Sequence, residues 1–275
     1  MVDEIINEFY NQDHHCGYDY LYNIDNTPQN DEEFTLHNHN DRCEIVLFLT
    51  GDAEFHIEGS IYKSHPHDIY LAGPLEMHHN VFLSPEKYTR VVIHVMLDFF
   101  EKHHCPELKN IFLNRALGTD CQIPARIVNR EMYHLIMKMN RYLLEGAYET
   151  ATCVLLELLY LLNHIGEPLT APVAADERIN QVLLYINEHL NEALSLDVLS
   201  DTFYLNKYHL CRVFKRVTGY TINRYINYKR LLLAKELHGR GQTLLQASTN
   251  AGFNSYSHFY KMYCKEFGEN PRKAF

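Results

Sequence analysis

The chain has 275 residues, enough for two ordinary domains each with its own core, and a formal net charge of −10. That balance alone argues against a nucleic-acid binder, but it is unevenly spread. Residues 1–175 hold 11 Lys/Arg against 26 Asp/Glu, whereas residues 176–275 hold 14 against 9. An acidic front joined to a basic back suits a regulatory module fused to a DNA-binding one, although ordinary solvated surfaces give the same asymmetry.

Seven cysteines (Cys16, Cys43, Cys105, Cys121, Cys153, Cys211, Cys264) are odd in number and form no C-x-x-C pair. This fits reduced thiols better than a disulfide framework or structural zinc. The start, MVDEIINEFY, lacks the basic start and apolar core of a signal peptide. The longest apolar stretch, 153–162, is interrupted by Glu157 and is too short to span a bilayer. A cytoplasmic protein with no membrane partner is expected.

From about residue 16 to residue 97 the pattern is one of short strands punctuated by turns. Apolar or alternating runs at 44–50, 53–58 and 68–72 stop at Gly51-Asp52, Gly59-Ser60 and Gly73-Pro74, and a further run at 90–96 follows Pro85. Many short strands without intervening helices predict a β-barrel or sandwich. After Leu97 the period becomes helical. Met132, Leu135, Ile136, Met139 and Leu143 recur at threes and fours, as do Val154, Leu155, Leu158, Leu159 and Leu162, with Gly146 between the two sets. This predicts an antiparallel helical hairpin whose apolar stripe either closes the back of the barrel or pairs with a second subunit. Residues 166–175, with two prolines and no period, read as a linker.

The basic half opens with an amphipathic helix carrying Ile179, Val182, Leu183, Ile186 and Leu190. Ser195 is an N-cap candidate for a short helix over 196–202. Asn206 caps the next helix, whose Leu210, Val213, Phe214 and Val217 face inward and which Gly219 stops. Its opposite face carries Lys207, Tyr208, Cys211, Arg212 and Lys215. A long helix after Thr221 presents Ile222, Tyr225, Ile226, Leu233 and Leu237, ends at Gly239/Gly241, and is a strut of roughly 25 Å. A second unit then begins at Thr243 and turns at 251–254. Its Ser255 caps a helix burying Phe259, Met262, Tyr263 and Phe267 before Gly268, with Tyr256, Ser257, His258, Lys261 and Lys265 outward. The two capped helices repeat at a constant offset of 49: Asn206 aligns with Ser255, His209 with His258, Val213 with Met262, Arg216 with Lys265 and Gly219 with Gly268. Tandem helix–turn–helix units on one face of a duplex lie about one helical turn apart, and a rigid strut of this length suits that spacing. A helical bundle with merely solvated cations is the alternative; the coincidence of capped turn, basic face and repeat favours DNA.

These residues also carry a resemblance. The stretch 251–271 (AGFNSYSHFYKMYCKEFGENP) and the stretch 206–219 (NKYHLCRVFKRVTG) resemble the signature segments of AraC/XylS-type transcription regulators. The resemblance covers residues from about 178 to 275. It implies base or phosphate contacts from Lys207, Tyr208, Cys211 and Arg212 in the first unit and from Tyr256, Ser257, His258 and Lys261 in the second. On chemical grounds Arg212 is the best guanine reader, while Lys207, Lys215 and Lys261 suit phosphates. Three departures stand out. Ala247-Ser248 replaces the usual large aliphatic followed by alanine, Ala251 replaces a β-branched residue, and Phe275 ends the chain without the usual aromatic-Arg pair. The second unit's core is therefore expected to be looser and its grip on bases weaker.

In the acidic half, His37, His39, Glu44 and Gly51 give H-x-H-x4-E-x6-G, and His78 follows Gly73-Pro74. This resembles the two motifs of the cupin barrel, in which two histidines, a glutamate and a later histidine converge inside the barrel. His37 and His39, two apart on a strand, share a face. The resemblance implies a pocket in which His37, His39, Glu44 and His78 either line a polar effector site or hold Zn, Fe, Mn or Ni. Two departures are the missing glycine six before His37, and Gly73 where the second motif has proline. His14-His15-Cys16 and His103-His104-Cys105 lack a second pair of ligands, and His65-Pro-His67 reads as a surface turn. Twenty tyrosines and no tryptophan supply rings suited to stacking on sugars, though many must be core.

Together these readings predict a multi-domain chain. An all-β cupin-like jelly-roll barrel (1–100) is followed by a helical dimerisation region (101–165), a linker (166–175) and an all-α tandem helix–turn–helix domain (176–275). The expected function is that of a ligand-responsive regulator, not an enzyme. Its partners are double-stranded DNA, a sugar-like effector and a second copy of the chain. No cofactor is required beyond the optional divalent metal. A metal-sensing regulator and a metal-dependent cupin enzyme are the alternatives.

Overall fold

Alternating tyrosines build the first long strand. In β2 (Tyr18–Asn26), Tyr18, Tyr20 and Tyr22 fall on every second residue and are all buried, because a strand sends that set to one face. The computed structural model describes residues 8–9, 16–26, 39, 41–74, 76–128, 130–166, 173–174, 176–267 and 270–272. Two compact units divide the chain, Met1–Val173 and Ala174–Phe275.

The first unit is sheet-rich. A six-stranded sheet has the order β1-β2-β8-β3-β6-β9, with β1 (Glu8–Phe9), β3 (Arg42–Thr50), β6 (Ile69–Ala72), β8 (Tyr88–Met96) and β9 (Gln122–Ile123). A four-stranded sheet has the order β10-β5-β4-β7, with β4 (Ala53–Ile57), β5 (Ser60–Lys63), β7 (His78–Phe82) and β10 (Val173–Ala174). The β4–β5 hairpin turns through Glu58 and Gly59, at φ 47° and 82°, the two positive angles that a tight two-residue turn demands. Ser60 therefore already pairs with Ile57, one residue earlier than the Gly59-Ser60 stop suggests. Within the expected linker, Val173 and Ala174 form a strand rather than unpaired coil.

The run of buried residues along β3 has a simple cause: both faces of the large sheet are covered. On one face Cys43, Ile45 and Leu47 join Tyr18, Tyr20, Ile93 and Val95 in a core shared with a helical hairpin, α3 (Arg130–Leu144) and α4 (Tyr148–Asn163). On the other, Val46 and Phe48 pack with Phe55, Ile57 and Tyr62 of the small sheet. The expected hairpin stripe, including Ile136, Met139, Leu155, Leu158 and Leu162, is fully buried against the sheet within one chain. Tyr20 locks the two layers by donating its hydroxyl to the Ile136 carbonyl at 3.2 Å. Of the two uses foreseen for the stripe, the structure realises closure of the sheet. Short helices α1 (Leu97–Lys102), a 3-10 turn (Pro106–Lys109) and α2 (Asn110–Leu113) lead from β8 toward the hairpin.

The second unit is helical: α5 (Glu177–Glu188), α6 (Leu196–Thr202), α7 (Lys207–Thr218), α8 (Ile222–Gly239), α9 (Leu244–Asn250) and α10 (Tyr256–Phe267). The expected caps are in place. The Ser195 hydroxyl accepts from Val198 N, the Asn206 side chain from Tyr208 N and His209 N, and Thr243 forms a capping box with Gln246. Gly219 ends α7 at φ 75°, the left-handed stop that favours glycine. The repeat is less uniform than the offset of 49 implies. The leading caps Ser195 and Thr243, and the turn residues Tyr204 and Gly252, are 48 apart, so the second turn holds one additional residue. In the second unit Ala247, Ser248 and Ala251 are buried, and Ala247 and Ala251 share one core with Leu231, Ala234, Phe253, Phe259 and Tyr263. Among the described residues, no helix is long and apolar enough to cross a membrane.

Candidate functional site

In the first unit the chemistry collects on one carboxylate. Glu44 alternates with Cys43 and Ile45, so its side chain points into the space between the two sheets, on the face of Val46. Register then fixes its neighbours: His94 of β8 is paired with Glu44 of β3 on one side and with Asp19 of β2 on the other. Asp19, His94 and Glu44 thus form a rank across three strands. His78 begins β7 in the opposing sheet, and His39 precedes β3. Glu44 Oε2 lies 2.7 Å from His39 Nε2, 3.2 Å from His94 Nε2 and 3.3 Å from His78 Nε2. Arg42, two residues from Glu44, reaches Asp19 at 3.2 Å.

Of the four residues expected here, His39, Glu44 and His78 are brought together, and His37 lies outside the described residues. His94 was missed. Its only sequence signal is a lone imidazole in the apolar run of β8, and its partner lies 50 positions away.

The proton positions follow from the contacts. His78 Nδ1 donates to the Glu76 carbonyl at 2.9 Å, which leaves Nε2 facing Glu44. Glu76 is itself held: its carboxylate accepts from Gly73 N and Gly118 N at 2.7 and 2.9 Å and is forked by the buried Arg115 guanidinium. Burial opposes charge on both Glu44 and His78. For Glu44, His78 and the three imidazole hydrogen bonds outweigh burial and hold the carboxyl well below the usual range. For His78, the Glu44 carboxylate outweighs burial and raises the imidazole pKa. Burial lowers the pKa of His39, which donates Nε2–H to Glu44 as the neutral ring. His39 and His94 keep 20% and 14% of their side chains exposed, against 5% for Glu44 and 2% for His78, so the cluster opens on the His39 and His94 side.

Three nitrogens and an oxygen also make a set that fits a first-row divalent metal. Donor atoms of His39, Glu44 and His94 lie within 4.8 Å of one another. A metal-binding imidazole ordinarily gives its second N–H to a carbonyl, as His78 gives Nδ1–H to Glu76. The same groups also suit a hydroxylated organic ligand, since a carboxylate accepts hydrogen bonds from hydroxyls and imidazole nitrogens can donate or accept them.

In the second unit the predicted contacts sit on two helix faces. On α7, Lys207, Tyr208, Cys211, Arg212 and Lys215 are all exposed. Lys207 is ion-paired with Asp197 of α6, while Arg212 and Lys215 project without an ion pair among the described residues. On α10, Ser257, His258 and Lys261 are exposed. Tyr256 departs from the expected set: it is half-buried and its ring packs on Phe259 at 5.7 Å, which makes it partly a core residue. Sequence reasoning also missed Tyr204. It occupies the turn before α7 at φ 52° and is 95% exposed, a placement that only the turn geometry reveals.

Comparison with known proteins adds to this geometry. Residues 199–275 match a family profile described as a helix-turn-helix domain. The HTH-type transcriptional activator RhaS of Escherichia fergusonii is 32% identical over 99 residues, covering 36% of this chain and 36% of RhaS. The regulatory protein SoxS of Salmonella typhimurium is 32% identical over 97 residues, covering 34% of this chain and 91% of SoxS. The match thus spans about a third of RhaS but nearly all of SoxS. ToxT from Vibrio cholerae aligns with 93% of this chain and 97% of its own at 15% identity and a TM-score of 0.37, too slight a likeness to carry an argument.

Proposed function

The chain belongs to the AraC-type family of helix–turn–helix transcription regulators, and from that premise we propose that it binds double-stranded DNA through α7 and α10 and regulates transcription in response to a small polar ligand. One observation carries the reading: one compact unit holds two capped helices, each preceded by a short helix and a turn and each presenting an exposed polar or cationic face. Helix–turn–helix units insert the N-terminal part of the second helix into the major groove. Arg212 reads a base, with a guanidinium that spans guanine O6 and N7. Lys207, Lys215 and Lys261 bind phosphates, and Tyr208, Cys211, Ser257 and His258 complete the contact faces. Tyr256 contributes its edge at most, since its ring is shared with the core.

The sheet-rich unit is read as a cupin-like sensor, with His39, Glu44, His78 and His94 as the input site and the Asp19–Arg42 pair beside it. A carbohydrate or similar polyhydroxylated molecule is the first ligand class, because carboxylate, imidazole and guanidinium groups all bond hydroxyls. A divalent metal is the second reading, favoured by the donor spacing of His39, Glu44 and His94. Such an ion would supply a Lewis-acid anchor drawing those three groups and His78 together. A ligand acts on DNA binding only through differential affinity for two states of the protein. Homodimerisation remains part of the reading, through a face other than the buried hairpin stripe.

The test is selection of binding sequences from a random duplex library by the full chain, which is expected to enrich two short boxes in fixed register. No enrichment would sink the DNA reading. Thermal shift of chelated protein against sugars and against divalent metals then separates the two inputs: the one that stabilises the protein and also changes its affinity for the selected duplex is the effector.

A further inference from the structure

The two helix–turn–helix units share the long helix α8, 18 residues and about 27 Å long. This helix is packed into both units: its Tyr225 meets Phe214 of the first, and its Leu231 and Ala234 lie in the core of the second. A second joint is present. Arg230, near the middle of α8, donates from Nε to the Leu190 carbonyl at 2.8 Å and from Nη2 to the Glu192 carbonyl at 2.6 Å. Both carbonyls belong to the segment that leads from α5 into Ser195, the cap of the first unit. Gly252, in the turn of the second unit, lies on the same spot. A methyl group built there would overlap the Leu190 oxygen and stand 2.8 Å from Arg230 Nε. Three elements therefore meet at one guanidinium: the entry to the first unit, the middle of the strut and the turn of the second unit.

The first unit supplies an internal control. Its turn also steps to a positive φ, yet the residue there is Tyr204, at φ 52° against 92° for Gly252, and it is almost wholly exposed. A positive φ in this turn thus does not by itself exclude a side chain. Position 252 requires glycine on two counts, its φ of 92° and the close approach to Leu190 and Arg230.

We infer that Arg230, Gly252 and the Leu190 and Glu192 carbonyls form a joint that sets the distance and phase between α7 and α10, and hence the spacing of the two DNA boxes the protein accepts. These are positioning residues, and the box-spacing part of the inference rests on the DNA-binding reading. Linking two modules rigidly raises the effective concentration of the second at its site, an advantage that can reach factors of about 10²–10⁴ and is lost when geometry slackens.

Two measurements test the joint in the full chain. The first needs no DNA: spin labels on genetically encoded ketone residues at Arg216 and Lys265 report the distance distribution between α7 and α10. A narrow distribution is expected for the wild type and for Tyr204→Ala, and a shifted or broadened one for Gly252→Ala and Arg230→Gln. Unchanged distributions in both variants overturn the joint, whatever the protein binds. The second is duplex selection, followed by affinity for a one-box and a two-box duplex. The variants are expected to keep the same box sequences, accept several spacings, and lose about tenfold for two boxes but under about twofold for one. Equal losses on both duplexes, or an unaltered spacing, refute the inference. A wild type that enriches nothing removes the DNA reading and leaves the distance measurement to decide the joint. Arg230→Lys serves should either first variant fail to fold by circular dichroism.

Discussion

Arg212 and Lys261 provide a matched comparison, because each lies five residues beyond the first residue of its helix, Lys207 in α7 and Tyr256 in α10. At 1.5 Å per residue both sit about 7.5 Å along the axis, within the part of such a helix that enters the groove. Both are exposed, and among the described residues no ion pair competes for either cation. Position being equal, chemistry decides. A guanidinium spanning guanine O6 and N7 is worth about 1–3 kcal/mol of discrimination, or roughly 5- to 150-fold. An ammonium on a phosphate contributes mainly counterion release, about 0.9 of a unit in the log–log salt slope. Between about 50 and 200 mM salt one such contact changes affinity only about 3.5-fold. Arg212→Ala is therefore expected to lose about 5- to 150-fold in affinity, more than Lys261→Ala, and to relax the preference at one base pair. Lys261→Ala is expected to flatten the salt slope and leave the preferred sequence intact. The assay is a fluorescence anisotropy titration on the selected duplex and its single-base variants at three salt concentrations. Equal or reversed losses at fixed salt, or an Arg212→Ala protein with unchanged sequence preference, refute the assignment.

Three further outcomes follow from the packing. Leu158→Ala, in the fully buried stripe of α4, should cost about 2–5 kcal/mol and lower the melting transition of the first unit by several degrees; a loss under about 1 kcal/mol in chemical denaturation would mean the stripe is not core in solution. Asn206→Ala removes the acceptor for Tyr208 N and His209 N and should cost about 1 kcal/mol with a parallel drop in DNA affinity, while Asn206→Asp retains both; indistinguishable urea midpoints for the three proteins contradict the cap. His94→Gln should abolish ligand- or metal-induced stabilisation as fully as His39→Gln, whereas His65→Gln, at an exposed turn, should leave it unchanged; a His94→Gln protein with full response removes His94 from the site.

The division between what sequence determines and what tertiary structure decides is visible residue by residue. The caps Ser195, Asn206 and Thr243, the stop at Gly219 and the apolar stripes of α3, α4 and α7 are all legible in the chain. Each rests on groups within about four residues of one another, where hydrogen-bond partners and helical period are written in order. The exposed faces of α7 and α10 follow from the same periodicity. His39, Glu44 and His78 were legible only through a resemblance, since no local rule brings residues from two sheets onto one carboxylate.

His94 and Asp19 entered the site through strand register, a long-range pairing that the order of residues does not spell out. The hairpin stripe was visible as apolar, but only packing shows that the sheet and not another subunit covers it within this chain. The additional residue in the second turn and the close seat of Gly252 against Leu190 likewise depend on where separate helices come to lie. Neighbours along the chain set the local grammar of two helix–turn–helix units and of a sheet-rich region. Tertiary structure alone decided which distant side chains meet, because contact across strands and helices is set by the packing of whole elements rather than by neighbours along the chain.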